Sequence, residues 1–154
     1  MSEHAPIRKN EIAVEFPAAT DGSLVFIGRI HTPWNTRGEC PRRGREDGPI
    51  CRIEIFEPWV AAIEGIERHE RLEALYWLHQ SRRDLVKQSP KNDGVVHGTF
   101  SLRSPQRPNP IGTQIVRFVK VENNDIFVRG LDCVNGTPLI DLKPDLCPFS
   151  GKTG

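Results

Sequence analysis

The sequence contains no long hydrophobic run, and its charges nearly balance. No segment of the 154 residues approaches the ~20 consecutive apolar residues that a membrane helix needs. Residues 1–10 lack the apolar stretch found in secretory signals. A net charge of +1 excludes a globally basic nucleic-acid-binding protein, although a local basic patch remains open. We therefore expect one cytoplasmic domain that does not enter the membrane.

Cysteine and histidine are too sparse to suggest a metal centre. The four cysteines form no C-x-x-C pair, and no His-x-x-x-His accompanies them. An even count permits two disulfides, but nothing in residues 1–10 indicates an oxidising compartment. We expect reduced, structural thiols. We predict no metal site, because the five histidines are scattered without metal-ligand spacing.

The common nucleotide-binding and hydrolase motifs are also missing. No G-x-G-x-x-G follows a strand and opens a helix, and there is no Walker loop or G-x-S-x-G elbow. A Rossmann-type nucleotide site and a serine-hydrolase triad are therefore unsupported.

Acidic and basic residues are instead segregated along the chain. Residues 54–73 contain six glutamates against two arginines, and residues 82–120 contain eight lysines or arginines against two aspartates. Such a distribution fits one face that meets phosphate groups. A solvated surface with chance clustering explains it equally well.

Short β-rich segments separated by turn residues dominate the chain after residue 23. The segments with strand character are residues 24–31, 52–56, 95–102, 113–122, 126–131 and 137–142. Turns are predicted at residues 123–125 and at Asn135-Gly136. Several strands, few helices and regular turns favour a sheet closed into a barrel. The predicted fold is mainly β, a small closed barrel with one or two short helices, one of them at residues 58–65.

Two parts of the chain need separate treatment. Residues 1–22 are polar and interrupted by proline and glycine, which predicts a flexible N-terminal arm before a barrel domain at residues 23–150. Residues 67–80 fit helical spacing, yet residues 74–78 also fit a buried strand, and periodicity alone does not choose between them.

The most unusual segment is Arg103-Ser104-Pro105-Gln106-Arg107-Pro108-Asn109-Pro110-Ile111-Gly112. Its three prolines exclude a regular helix or central strand, because proline lacks an amide donor and fixes its own φ angle. We predict a stiff, sharply turned loop between two strands. Stiffness lowers the entropy lost on binding, and rigid polar loops between strands often carry binding groups.

This loop belongs to a longer combination of motifs. R-S-P-x-R-P-N-P-I-G is followed about twenty residues later by G-L-D-x-x-x-G-T-P-L-I-D-L-K-P. Together with residues 26–30, 32–34 and 78–80, the combination resembles the TrmO family, also known as the TsaA-like domain. The resemblance makes residues 23–150 a TsaA-like β-barrel domain. It also favours a strand for residues 75–79.

The resemblance implies an RNA-modifying enzyme. Characterised family members are S-adenosylmethionine-dependent tRNA methyltransferases that methylate N6 of threonylcarbamoyladenosine at position 37, beside the anticodon. The expected cofactor is S-adenosyl-L-methionine, and the expected partners are the tRNA anticodon loop and a second copy of the chain in a homodimer. Two alternatives stay open. One is methyl transfer to a small molecule or another RNA, and the other is a non-catalytic barrel that binds S-adenosylmethionine or RNA.

Donor-binding residues are implied by the matching motifs. They are His79, Gln80, Arg103, Gly130, Leu131 and Asp132, with Arg42 and Arg43 added by a looser match of residues 41–44. Arg103 suits the donor carboxylate through a charge-assisted bond. Asp132 suits a ribose hydroxyl or the donor ammonium.

Acceptor-side residues rest on residue chemistry. Asp141 is the candidate proton acceptor, and Lys143 lies on the same side of an extended strand, so these two form the predicted catalytic pair. Candidate tRNA contacts are Arg82, Arg83, Arg107 and Asn109, with Lys87 and Lys143 for phosphates and Trp34 or Tyr76 for base stacking.

Two departures from the family pattern bear on the acceptor. Longer members continue with a second, C-terminal domain after the segment that matches Lys143-Pro144. In addition, Asn135 and Asp145 stand where members commonly carry Asp and Tyr. The first exchange keeps the turn chemistry, whereas the second removes a possible stacking ring.

Overall fold

The computed structural model describes residues 5–146, and within them the chain is mainly β. This range holds nine strands and four 3-10 turns and no α-helix. The predicted fold class is therefore confirmed, and the helix predicted at residues 58–65 is the 3-10 helix Val60–Ile63. The strands are β1 (Ile12–Ala13), β2 (Gly28–His31), β3 (Ile50–Ile55), β4 (Arg71–Trp77), β5 (Leu85–Gln88), β6 (His97–Gly98), β7 (Ile111–Glu122), β8 (Asp125–Arg129) and β9 (Thr137–Pro144). The other 3-10 turns are Arg37–Glu39, Ile66–Arg68 and Thr99–Ser101.

Six strands close into a barrel within a unit formed by residues 24–77 and 112–146. Their order is β2-β3-β8-β7-β4-β9, and β9 pairs antiparallel with β2 to close the ring. Alternate side chains point inward, as the pleat of a strand requires. The core includes Ile30, Ile53, Ile126, Val128 and Leu139, each with 0% exposure.

Strand β4 settles the ambiguous segment at residues 67–80. Leu72, Ala74 and Tyr76 are buried, and the residues between them are only half-buried, so burial alternates with the period of a strand. β4 pairs with β9, which supplies the backbone partners that a helix would have found within itself. The strand expected at residues 75–79 is confirmed for residues 75–77, because β4 covers Arg71–Trp77, and it is wrong for Leu78 and His79, where the chain leaves the strand and turns.

Both predicted turns reverse the chain between barrel strands. Asn123 has a φ angle of 56° between β7 and β8, and Gly136 has a φ angle of 87° before β9. Asn and Gly adopt this left-handed geometry more readily than other residues. The turn residues identified in the sequence therefore have the backbone conformation that their chemistry predicted.

A second unit consists of residues 5–23 with Leu78–Ile111 and contains a sheet of order β1-β5-β6. The described part of the predicted N-terminal arm supplies β1, in which Ile12 pairs with Lys87 of β5. The flexibility of the arm and the domain limits at residues 23 and 150 stay predictions.

The strand predicted at residues 95–102 forms only at His97–Gly98. The chain then makes a 3-10 turn, closed where the Leu102 amide donates to the Thr99 carbonyl at 3.1 Å. The buried Thr99 hydroxyl also donates to the Leu85 carbonyl at 2.7 Å, which ties the turn to β5. Periodicity does not reveal such a bond, because it joins residues 14 positions apart.

No helix among residues 5–146 combines the length and the hydropathy needed to cross a bilayer. Cys40, Cys51 and Cys133 are free thiols, as predicted. Cys147 lies outside the described residues.

Candidate functional site

Two side chains of the barrel unit join the G-L-D segment to β4. The hydroxyl of Tyr76 donates to Asp132 Oδ1 at 3.0 Å. Tyr76 is 4% exposed, so this donor is fixed by packing, while Asp132 is only half-buried. A carboxylate oriented in this way is suited to accept hydrogen bonds from hydroxyl or ammonium groups of a ligand.

The last residue of the proline signature makes room for Tyr76. Gly112 lies in β7, which neighbours β4 in the barrel. A Cβ atom at position 112 would stand 2.8 Å from Cδ2 of the Tyr76 ring, closer than packed atoms approach. The signature glycine therefore acts on Asp132 indirectly, through the position of the tyrosine ring.

The loop that carries Arg42 and Arg43 packs against the residue before Leu131. A Cβ atom at Gly44 would stand 2.6 Å from the carbonyl carbon of Gly130, so the two backbones are in direct contact. Gly130 has a φ angle of 111°, which favours glycine. The structure thus brings residues 41–44 next to the G-L-D segment, with Arg42 and Arg43 exposed.

Hydrogen bonds fix the G-L-D segment from its other side. The Thr32 hydroxyl donates to the Cys133 carbonyl at 2.8 Å, and the Thr32 amide donates to Asn135 Oδ1 at 3.1 Å. The Asn135 amide donates to the Trp34 carbonyl at 2.6 Å, and its Nδ2 donates to Asn35 Oδ1 at 3.2 Å. An Asp at position 135 has no side-chain donor for the last bond. In this chain the Asn135 side chain supplies the donor of that bond.

The two thiols beside this segment have raised pKa values. Burial raises the pKa of Cys133 to about 12. Burial, followed by the charge of Asp132, raises the pKa of Cys40. Both thiols are protonated at neutral pH, and only the thiolate is a good nucleophile. The segment is not suited to covalent catalysis by cysteine.

In the second unit, every second backbone carbonyl from Leu102 to Pro110 accepts a hydrogen bond. The donor–acceptor pairs are Arg107 Nη1 to Leu102 O (3.0 Å) and to Ser104 O (2.9 Å), Gln88 Nε2 to Gln106 O (2.6 Å), Arg83 Nε to Pro108 O (2.6 Å) and Leu78 N to Pro110 O (2.8 Å). Prolines donate no amide bonds, so these carbonyls depend largely on side chains for partners. The loop conformation is therefore set partly by residues outside the loop.

All four candidate tRNA contacts take part in local bonding. Arg83 Nη2 donates to Asn109 Oδ1 at 3.3 Å. Arg82 is 8% exposed and pairs with Asp84 at 2.7 Å. Arg107 bonds the carbonyls of its own loop. Their roles in tRNA binding stay predictions, and replacing any of them also removes a bond within this unit.

His79, Gln80 and Arg103 belong to the same unit and are exposed. His79 and Gln80 form a turn after β4, closed where the Ser81 amide donates to the Leu78 carbonyl at 3.1 Å. Arg103 lies between two residues whose carbonyls are held by Arg107. The backbone that carries these three exposed side chains is therefore fixed by hydrogen bonds. Their role in binding S-adenosylmethionine stays a prediction.

Asp141 and Lys143 lie in β9, where Asp141 is opposite Leu75, the residue before Tyr76. They form an ion pair at 3.1 Å, and their side chains are 44% and 58% exposed. Both line a cavity of about 360 Å³ together with Trp59 and other residues of the 3-10 turns. Neither Tyr76 nor Asp132 is among the residues that line this cavity. The catalytic role of the pair stays a prediction.

Three residues of the site lie outside the set that sequence reasoning selected for the donor. Gln88 was missed, Tyr76 was considered only for base stacking, and Gly44 entered only as part of the looser match of residues 41–44. Tyr76 is the single tyrosine of the chain, which is a weak signal. Gln88 carried no signal, because its partner is a carbonyl 18 positions away.

Comparisons with known proteins agree on one family. The model of the tRNA-methyltransferase O N-terminal domain matches residues 29–149. The chain is 58% identical over 139 residues to the probable S-adenosyl-L-methionine-binding protein VirR of Rhizobium radiobacter, which covers 90% of this chain and 79% of that protein. It is 29% identical over 147 residues to the human tRNA (adenine(37)-N6)-methyltransferase, covering 86% of this chain and 32% of that protein.

The fold is also similar to a solved structure. The crystal structure of TrmO from P. aeruginosa superposes with a TM-score of 0.70 at 28% sequence identity, over 91% of this chain and 61% of that chain. This chain therefore spans about three fifths of the solved protein's length.

Proposed function

The chain belongs to the tRNA-methyltransferase O N-terminal domain family, and from this premise we propose that it is an S-adenosylmethionine-dependent tRNA methyltransferase. The proposed reaction methylates N6 of adenine 37, the position named for the human relative, with threonylcarbamoyladenosine as the modified base. The observation that carries the proposal is the Tyr76–Asp132 pair, since an oriented carboxylate in the G-L-D segment is what a nucleoside donor requires.

The residue types of the site fit S-adenosylmethionine. Asp132 would accept hydrogen bonds from a ribose hydroxyl or from the donor ammonium. Arg42 and Arg43, in the loop packed on Gly130, are proposed as further donor-binding residues, and both are exposed. Bound S-adenosylmethionine supplies a methyl group that its sulfonium already activates. The task of this chain is therefore to hold and orient the reactants.

In the second unit, His79, Gln80 and Arg103 are also proposed donor-binding residues. They are the residues that match family motifs, and all three are exposed. Arg103 is proposed for the donor carboxylate. This assignment is independent of the one made for Asp132, and each is tested by its own variant.

On the acceptor side, Asp141 is proposed as the proton acceptor for the adenine nitrogen, with Lys143 as its partner. Arg107 and Asn109 of the signature loop, with Arg82 and Arg83, are proposed for the anticodon loop. We further propose that the protein acts in the cytoplasm as a homodimer, as the resemblance implies.

A two-stage experiment tests the proposal. Calorimetry with S-adenosylmethionine on the purified chain should show saturable heat. Incubation with donor and tRNA carrying threonylcarbamoyladenosine should then produce the N6-methylated nucleoside, measured by mass spectrometry of digested tRNA. No heat at near-millimolar donor would contradict donor binding.

A second candidate function is donor binding without methyl transfer. The relative that is 58% identical carries the name of a binding protein and not of a methyltransferase. Saturable heat without methylated nucleoside in vitro, together with an unchanged amount of that nucleoside in tRNA from a strain lacking the protein, would favour this alternative. Methyl transfer to a small molecule would appear as donor turnover that is independent of tRNA.

A further inference from the structure

The outer face of four neighbouring barrel strands carries its charges in rows. Strands β2, β3, β8 and β7 are adjacent in that order, and residues directly opposite on neighbouring strands point to the same side of a sheet. One row across the four strands consists of His31, Arg52, Phe127 and Lys120. The next row, toward the end of β8, consists of Ile50, Arg129 and Arg117.

A β-bulge puts two of these cations on the same face. Arg117 and Lys120 are three positions apart in β7 and would face opposite sides of a regular strand. The register shifts between Phe118 and Lys120, so that Arg117 lies opposite Arg129 and Lys120 lies opposite Phe127. Both cations consequently face outward, Arg117 exposed and the Lys120 side chain 52% exposed.

These two rows contain four cations and no carboxylate, whereas the row on their other side is acidic. That third row consists of Arg29, Glu54, Asp125 and Glu122. Arg52 pairs with Asp125 at 3.1 Å, and Lys120 pairs with Glu122 at 2.9 Å. The Lys120–Glu122 pair is exposed and Arg52 keeps 39% of its side chain exposed, so solvent screens both pairs and a phosphate can compete for both cations.

Arg117 and Arg129 lie directly opposite each other, and like charges in this relation destabilise a sheet. Arg129 Nη1 donates to the Gly48 carbonyl at 2.6 Å. Glu46 is near enough for Arg117 to lower its pKa, although the larger cause is the hydrogen bond from Arg71 at 2.7 Å. A phosphate between the two guanidinium groups would relieve their repulsion.

We propose that Arg52, Arg117, Lys120 and Arg129 form a cationic strip that binds the phosphate backbone of tRNA. The proposal rests on the proposed tRNA function, and it places part of the substrate interface on the outer face of the barrel. A chain of phosphates complements two rows that carry cations alone. Phe127 supports the strip, because Lys120 Nζ lies 4.9 Å from the centre of its ring.

The strip is expected to set the affinity for tRNA and not the choice of base, since phosphate contacts position RNA without reading its sequence. Measurement of tRNA binding by fluorescence anisotropy at several salt concentrations tests this. The double variant Arg117→Gln/Lys120→Gln should bind tRNA about tenfold more weakly. The slope of log affinity against log salt should fall by about 1 for each phosphate that the variant no longer neutralises.

Two single variants on the same face serve as controls. Arg29→Gln removes one positive charge from the acidic row and should leave tRNA affinity within about twofold of the wild type. Glu122→Gln releases Lys120 from its partner and should tighten tRNA binding. Affinity for S-adenosylmethionine, measured by calorimetry, should be unchanged in all of these variants.

The outcomes separate this inference from the proposed function. A wild-type chain that methylates tRNA, together with a double variant of wild-type affinity and salt slope, would overturn the strip alone. An equal loss in Arg29→Gln would also overturn it, because net charge would then explain the effect. A wild-type chain that neither binds nor methylates tRNA would overturn both.

Discussion

Gly112 and Tyr76 are complementary across the neighbouring strands β7 and β4. The Tyr76 ring occupies the space that any side chain at position 112 would need, and a Cβ there would lie 2.9 Å from Cζ of the ring. The same ring carries the hydroxyl that donates to Asp132. One glycine of the proline signature is thereby linked to the carboxylate that the function requires.

The first prediction concerns that glycine. Gly112→Ala should lower the free energy of unfolding by about 1–3 kcal/mol, as expected for overpacking against the buried Tyr76 ring. It should also weaken S-adenosylmethionine binding, because the displaced ring no longer orients Asp132. Urea denaturation and calorimetry measure the two effects.

Gly98→Ala is the matched control, since a Cβ at Gly98 meets no atom within 4 Å. It should change neither stability nor donor affinity appreciably. Equal behaviour of the two variants would show that the space beside Tyr76 is not limiting.

The second prediction isolates the Tyr76 hydroxyl. Tyr76→Phe keeps the buried ring and removes only the donor to Asp132, so the affinity for S-adenosylmethionine should fall by about 0.5–1.5 kcal/mol. Asp132→Asn should weaken donor binding more, because it removes the charge itself. Calorimetry on both variants checks the order, and an unchanged affinity in Asp132→Asn would exclude the carboxylate from the donor site.

Most of the barrel follows from local patterns in the sequence. Strand-forming segments and the turn residues Asn123 and Gly136 predicted the strands that follow residue 110. Both signals can be identified because they depend only on neighbouring residues. β4 needed the family resemblance, since its apolar residues fit two periods. The strand predicted at residues 95–102 was wrong except at His97–Gly98, and after Gly98 the Thr99 hydroxyl donates to the distant Leu85 carbonyl.

The candidate site was predictable in its parts but not in its contacts. The motifs identified Asp132 and the signature loop, which are contiguous in sequence. The Tyr76–Asp132 bond spans 56 positions, and the Gln88–Gln106 bond spans 18. The closed barrel and the second sheet determine which side chains orient the motif residues. The sequence does not show these contacts, because the partners are far apart in the chain.

The third prediction tests the signature loop. Arg103→Ala should weaken S-adenosylmethionine binding by about 1.5–3 kcal/mol, the usual scale for a hydrogen bond to a charged group. Lys91→Ala, an exposed cation of the same unit, should leave the affinity unchanged. Wild-type calorimetric affinity in Arg103→Ala would remove this arginine from the donor site.

The fourth prediction concerns Asp141. If it accepts the proton during methyl transfer, Asp141→Asn should lower kcat by about 100-fold or more, while donor affinity stays the same. Lys143→Gln breaks the same ion pair without removing the carboxylate, and should lower kcat much less. Equal kcat values for the two variants in the tRNA methylation assay would assign the pair a structural role.

The fifth prediction is a loss of stability at alkaline pH, caused by two buried thiols. Burial raises the pKa of Cys51 to about 11 and that of Cys133 to about 12, against 9.0 for an unperturbed thiol. Above pH 9 the unfolded chain therefore releases protons that the folded chain retains, so the free energy of unfolding falls as pH rises toward 11. Each thiol should contribute a slope of about 1.4 kcal/mol per pH unit in this window. Urea denaturation between pH 8 and about pH 10.5 should thus give a shallower decline in Cys133→Ala than in the wild type, and parallel curves would show that the Cys133 thiol ionises equally in both states.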